Sequence, residues 1–75
     1  MKGEAQKHMN TRLLKSHIVK NDGSQRNLAK AMGLSSNALS AKITENGSVF
    51  RKSEMLFIKD RYKLTDEEFC EIFFN

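Results

Sequence analysis

Apolar residues recur along this chain in short bursts at three- and four-residue spacing, broken by polar stretches at 21–23 and 45–48 and by Gly33. Leu14 and Ile18, four apart and flanked by Leu13 and His17, predict an amphipathic helix that starts at Asn10 or Thr11. Asn21-Asp22-Gly23 ends it, with glycine suited to a left-handed closing position. Ser24 is a natural cap for a second helix over 25–32, whose Leu28, Ala29 and Met32 share one face. Gly33 supplies the positive φ that ends that helix sharply, Leu34 fills the angle, and Ser35 caps a third helix over 36–44. Val49 and Phe50 then return apolar surface to the core. A fourth helix runs roughly over 52–62, with Met55, Leu56, Ile58, Lys59 and Tyr62 along it. Thr65-Asp66-Glu67-Glu68 forms a capping box for a fifth helix that turns Phe69, Ile72 and Phe73 inward. No alternating Val/Ile/Thr run argues for a strand, so an all-α domain of five helices is expected.

The third helix is unusual in what it turns outward. With Leu39 as the buried centre and about 100° per residue, Ile43 lies about 40° away and completes the inward stripe. Asn37 and Ala41 then lie about 160° away, Thr44 about 140° and Ser40 about 100°. This face, preceded by Ser36, carries no acidic and no bulky group, so another surface can approach it closely. The DNA major groove, about 12 Å wide, is such a surface. Two helices joined by a turn of about three residues, the second one reading, is the helix-turn-helix geometry. Asn37 can pair with the N6/N7 edge of adenine, Ser36, Ser40 and Thr44 can exchange hydrogen bonds with base edges, and the Ala41 methyl can meet a thymine methyl. The expected phosphate contacts are Gln25 with the amides at the start of the second helix, Arg26, Lys30, Lys42, Arg51 and Lys52. Backbone amides of the Asn46-Gly47-Ser48 loop can hold one more phosphate.

Charge supports a polyanionic partner. Residues 1–52 hold ten Lys/Arg against three Asp/Glu, whereas residues 53–75 hold three against six. The basic part is expected to face the partner and the acidic tail to face away. Seventy-five residues provide one domain, near the lower limit for a self-supporting core. The single cysteine, Cys70, excludes an internal disulfide; it reads as a buried small hydrophobe and points to a cytoplasmic protein. No transmembrane run is present, so no membrane association is expected. His17 has no partner at metal-ligand spacing and reads as surface or corner packing. Glu67, Glu68 and Glu71 belong to a helix start and a solvated face, and no Ser/His/Asp set or phosphate-cradling glycine loop occurs. Hence no enzymatic activity, metal, cofactor or small-molecule ligand is expected.

The stretch SQRNLAKAMGLSSNALSAKI (24–43) resembles the DNA-binding domain of the phage repressor and Cro family. The matching features are Gln25 opening the second helix, Leu28-Ala29, Gly33 in the turn, Leu39 in the third helix and the Asn-Gly after it. The resemblance spans about 13–75, and SEMLFIKDRYKLTDEEFCEIFF (53–74) looks like the ending of small Cro-like regulators from phages of Gram-positive bacteria. It implies a compact lambda-repressor-like fold, phosphate binding by Gln25 and base reading by Ser36, Asn37 and Ala41. The function implied is a transcriptional regulator on a phage or prophage operator. Two positions depart from the family pattern. Gly23 stands where an apolar residue is usual at the first corner. Lys42, followed by Ile43, stands where an apolar residue usually follows Leu39, which leaves the rotation of the third helix and the role of Ala41 open.

Operator binding of this kind favours a homodimer, because each bidentate base contact supplies only about 1–3 kcal/mol. Phe73 and Phe74 are the candidate dimer contact, chiefly Phe74, which has no inward place on the last helix. The alternative folds Phe74 over the core edge. An antitoxin-like or protein-interaction module on the same fold is the alternative function. Residues 1–9 lack an apolar period and predict a disordered leader ahead of a 10–75 domain. His8-Met9 also matches a cloning junction, so the leader is either vector-derived or native.

Overall fold

The computed structural model describes residues 9–45 and 47–74, and the expectation for residues 1–8 lies outside them. These residues form α1 (Thr11–Asp22), α2 (Gln25–Met32), α3 (Ser36–Thr44), α4 (Lys52–Arg61) and α5 (Asp66–Phe73), with no strand among them. Local chemistry explains most boundaries. The side chains of Asn10, Ser24, Ser35 and Thr65 each accept a backbone N–H from the first turn of the following helix. Glu68 returns the bond to the Thr65 N–H at 2.9 Å, completing the capping box.

The core is built from Leu14 and Ile18 of α1, Leu28 and Ala29 of α2, Leu39 and Ile43 of α3, Ile58 of α4, and Ile72 and Phe73 of α5. Phe50, Tyr62 and Leu64 close it from the connections. Helix α1 is the central element and packs on α2, α3 and α5. Its N-terminal side is pinned by the Asn10 N–H, which donates to the Ile72 carbonyl at 2.6 Å. Each fully buried Leu or Ile contributes about 1.5–3 kcal/mol of transfer free energy, so this small core leaves few side chains to spare.

Three expectations are corrected. Val49 is 63% exposed, whereas its neighbour Phe50 is buried; adjacent residues of an extended segment face opposite ways, and Phe50 takes the inward place. Cys70 is exposed, because it lies about 200° around α5 from the buried Ile72. Met9, placed in the leader by its lack of period, packs against the core. No described helix is long and apolar enough to cross a membrane.

Candidate nucleic-acid interface

The α2–α3 turn is a tight C-terminal cap. Gly33 sits at φ 72°, ψ 27°, its N–H donates to the Lys30 carbonyl at 3.2 Å and the Leu34 N–H to the Ala29 carbonyl at 2.8 Å. That is the Schellman pairing, which only a residue tolerant of positive φ closes without strain. Ser35 then starts α3 by accepting the Ala38 N–H at 3.0 Å. Two helices are thereby joined at a fixed angle by three residues.

Leu39 and Ile43 of α3 are fully buried, so the inward stripe is the one periodicity predicts. Ser36, Asn37, Ser40 and Thr44 are exposed, and Ala41 is half-buried. The Thr44 hydroxyl donates to the Ser40 carbonyl at 2.9 Å, so its proton is committed and its oxygen is left to accept. From residue 24 to 44 there is no Asp or Glu. At the start of α2, Ser24 accepts the Asn27 N–H at 3.3 Å. The Gln25 and Arg26 N–H groups sit where no intrahelical acceptor exists, at the positive end of the helix. Arg26 and Lys30 are exposed and Gln25 is half-buried.

Lys42, an expected phosphate contact, is engaged within the chain. Its ammonium lies 3.2 Å from the Glu54 carboxylate and donates to the Val49 carbonyl at 3.2 Å, with 12% of its side chain exposed. The Glu54 carboxyl is pushed up by burial, but the Arg51 N–H and the Lys42 ammonium outweigh that and hold it below its usual value. The lysine at a usually apolar position thus lays its stem along the α3–α4 connection and leaves Ile43 in the core. Arg51 and Lys52, at the start of α4, are exposed. The Lys42–Val49 bond keeps that segment close to the end of α3. Of the Asn46-Gly47-Ser48 loop, Asn46 lies outside the described residues; Gly47 has φ 80°.

The unusual corner at Gly23 closes by polar bonds. Gly23, at φ 83°, donates to the Ile18 and Val19 carbonyls at 3.0 and 3.1 Å. The Asn27 side-chain amide donates to the Asp22 carbonyl at 2.7 Å and ties α2 to α1. Sequence reasoning also missed Thr11, whose hydroxyl donates to the Ile43 carbonyl at 3.0 Å. No local pattern marks a bond across 32 residues.

At the other end, Phe73 is 4% exposed, with its ring 5.7 Å from Phe50 and 5.2 Å from Phe69. It is closed into the core and is not available as a dimer contact. Phe74 is 49% exposed while its ring stands edge-on to Phe69 at 5.7 Å, so it partly covers the core edge and partly faces outward. It borders an apolar groove of about 350 Å³ that Met9, Val49, Phe50 and Met55 also line.

A compact five-helix domain with a close-approach face on α3 is the class these features define. The family described as "Protein of unknown function (DUF739)" matches residues 9–75, and the chain belongs to it. No curated protein and no solved structure matches.

Proposed function

We propose that the chain is a sequence-specific, double-stranded-DNA-binding transcriptional regulator of the Cro or repressor type. In this reading α2, the Gly33–Ser35 turn and α3 form a helix-turn-helix. The protein is cytoplasmic, occupies a phage or prophage operator, excludes polymerase, and carries out no catalysis. The observation that carries the reading is the outward face of α3: Ser36, Asn37 and Ser40 exposed, Ala41 and Thr44 beside them, and no acidic residue from 24 to 44. Such a face presents no bulky side chain and no like charge to the major groove. In this reading Asn37 reads adenine, and Gln25, Arg26, Lys30, Arg51 and Lys52 hold phosphates. A homodimer joined near Phe74 supplies the second half-site.

The exposure of Phe74 and Val49 on the groove favours a second reading, an antitoxin-like or protein-interaction module. Selection of binding sites from a random DNA pool decides between the two. A palindromic winner that outbinds a scrambled duplex by about a thousandfold supports the regulator. Weak binding without sequence preference supports a partner-dependent regulator or the module.

A further inference from the structure

Beside the α2–α3 face, one ion pair joins α3 to α4. A single carboxylate oxygen of Glu54 accepts the Arg51 backbone N–H at 2.8 Å and lies 3.2 Å from the Lys42 ammonium. Lys42 also holds the Val49 carbonyl at 3.2 Å. One ion pair therefore gathers the last turn of α3, the connecting segment and the first turn of α4. Its side chains are 12% and 19% exposed, so water and salt weaken it less than an ordinary surface pair. From elsewhere in the fold, Thr11 holds the neighbouring residue by donating to the Ile43 carbonyl. These two anchors fall on consecutive residues at the end of α3, beside the Glu45 N–H that donates to the Lys42 carbonyl at 3.3 Å. The beginning of α3 is held independently by the Ser35 cap and the Gly33 turn.

We propose that Glu54 is a positioning residue that fixes the C-terminal half of α3 through Lys42, and so sets the base preference of Ser40 and Thr44 without touching DNA. This rests on the DNA-binding reading above. A hydrogen bond at about 3 Å is lost by about 3.6 Å, so a shift of under an ångström at the helix end disconnects a base contact. Asn37, beside the Ser35 cap, stays in register when the far end moves.

The test is random-pool selection with the native protein, Glu54→Gln, Lys42→Met and, as a control, Asp66→Asn, each with a thermal melt and a salt titration. Gln still accepts the Arg51 N–H, so α4 keeps its start and only the ionic hold is lost. Asp66→Asn breaks a different pair, with Lys59 at 3.1 Å. Glu54→Gln and Lys42→Met should each lose about tenfold discrimination at the bases read by Ser40 and Thr44. Both should retain the preference at the Asn37 base and the native salt slope, and Asp66→Asn should change neither. An unchanged preference in both single variants, or an equal loss at every base including that of Asn37, overturns the positioning role alone. A native protein that selects no sequence overturns the DNA-binding reading and this role with it.

Discussion

Arg61 grips the carboxylate of Asp22 across thirty-nine residues of chain, with Nη2 2.7 Å from Oδ1 and Nε 3.2 Å from Oδ2. The Tyr62 hydroxyl donates to the same Oδ2. The end of α4 is thereby fastened to the end of α1, at the corner where α2 begins. Asp22 keeps only 6% of its side chain exposed, so its charge depends on these two donors.

That dependence makes stability sensitive to pH at both extremes. The Arg61 hydrogen bond, working against burial and helped by Tyr62, holds the Asp22 carboxyl below its usual 3.8. A depressed carboxyl contributes stability above 3.8 that is lost as pH falls through the lower folded value. Burial, and then the bond to Asp22, push the Tyr62 phenol above its usual 10.0. A raised phenol contributes stability below 10.0 that is lost as pH rises through the higher folded value. Tyr62→Phe should cost about 1–2 kcal/mol at neutral pH and flatten the alkaline limb of a stability-against-pH curve from urea melts. Asp22→Asn should flatten the acid limb instead. Unchanged limbs in both variants would show that the cluster holds nothing.

Lys63 ends α4 in a conformation suited to glycine. It has φ 53°, its N–H donates to the Asp60 carbonyl at 3.2 Å, and the Leu64 N–H to the Lys59 carbonyl at 2.9 Å. This is the same pairing that Gly33 makes, but here a Cβ must be accommodated at positive φ. Lys63→Gly should therefore raise stability by about 1 kcal/mol and the melting temperature by several degrees. A lower melting temperature would mean that the lysine side chain contributes more than its backbone strain costs.

The contrast between Gly33 and Lys63 shows which boundaries could be read from the residues. Where a helix ends on glycine or begins on Ser or Thr, the cause is local and visible: Ser24, Gly33, Ser35 and Thr65 all mark their boundaries. The outward face of α3 was legible for the same reason, since Leu39 and Ile43 set the phase of one short helix. Lys63 carries no such mark, because a left-handed lysine is a tertiary compromise. The pairing of Lys42 with Glu54 is not legible in the residues, because the partner lies on the next helix. Val49 and Cys70 were misread because one apolar residue in a connection, or one cysteine on a short helix, does not fix which way it points. Thr11 and Asp22 act across the chain, beyond any local periodicity.

The half-exposed ring of Phe74 gives the oligomeric state a direct test. If the proposed dimer forms at this edge, Phe74→Ser removes apolar contact from both subunits of a two-fold interface and weakens association at least tenfold. Phe73 remains in the core, so the monomer should keep its helical circular dichroism. Sedimentation of the native and variant proteins over a concentration series reads this out. A native protein that is monomeric throughout would remove Phe74 from the interface and leave it as a cover over Phe69.

The cations of the candidate interface should separate by salt dependence. Arg26 is exposed at the start of α2, whereas Lys42 is held by Glu54 and Val49. In the DNA-binding reading, Arg26→Ala should weaken binding to all sequences alike and lower the slope of log affinity against log salt by about one. Lys42→Ala should leave that slope unchanged, because no counterion is released by an ammonium that stays on Glu54. Asn37→Ala should cost about 1–3 kcal/mol on the selected operator and relax one base position, again with the native slope. Equal slope changes for Arg26→Ala and Lys42→Ala would show that Lys42 leaves Glu54 when DNA binds.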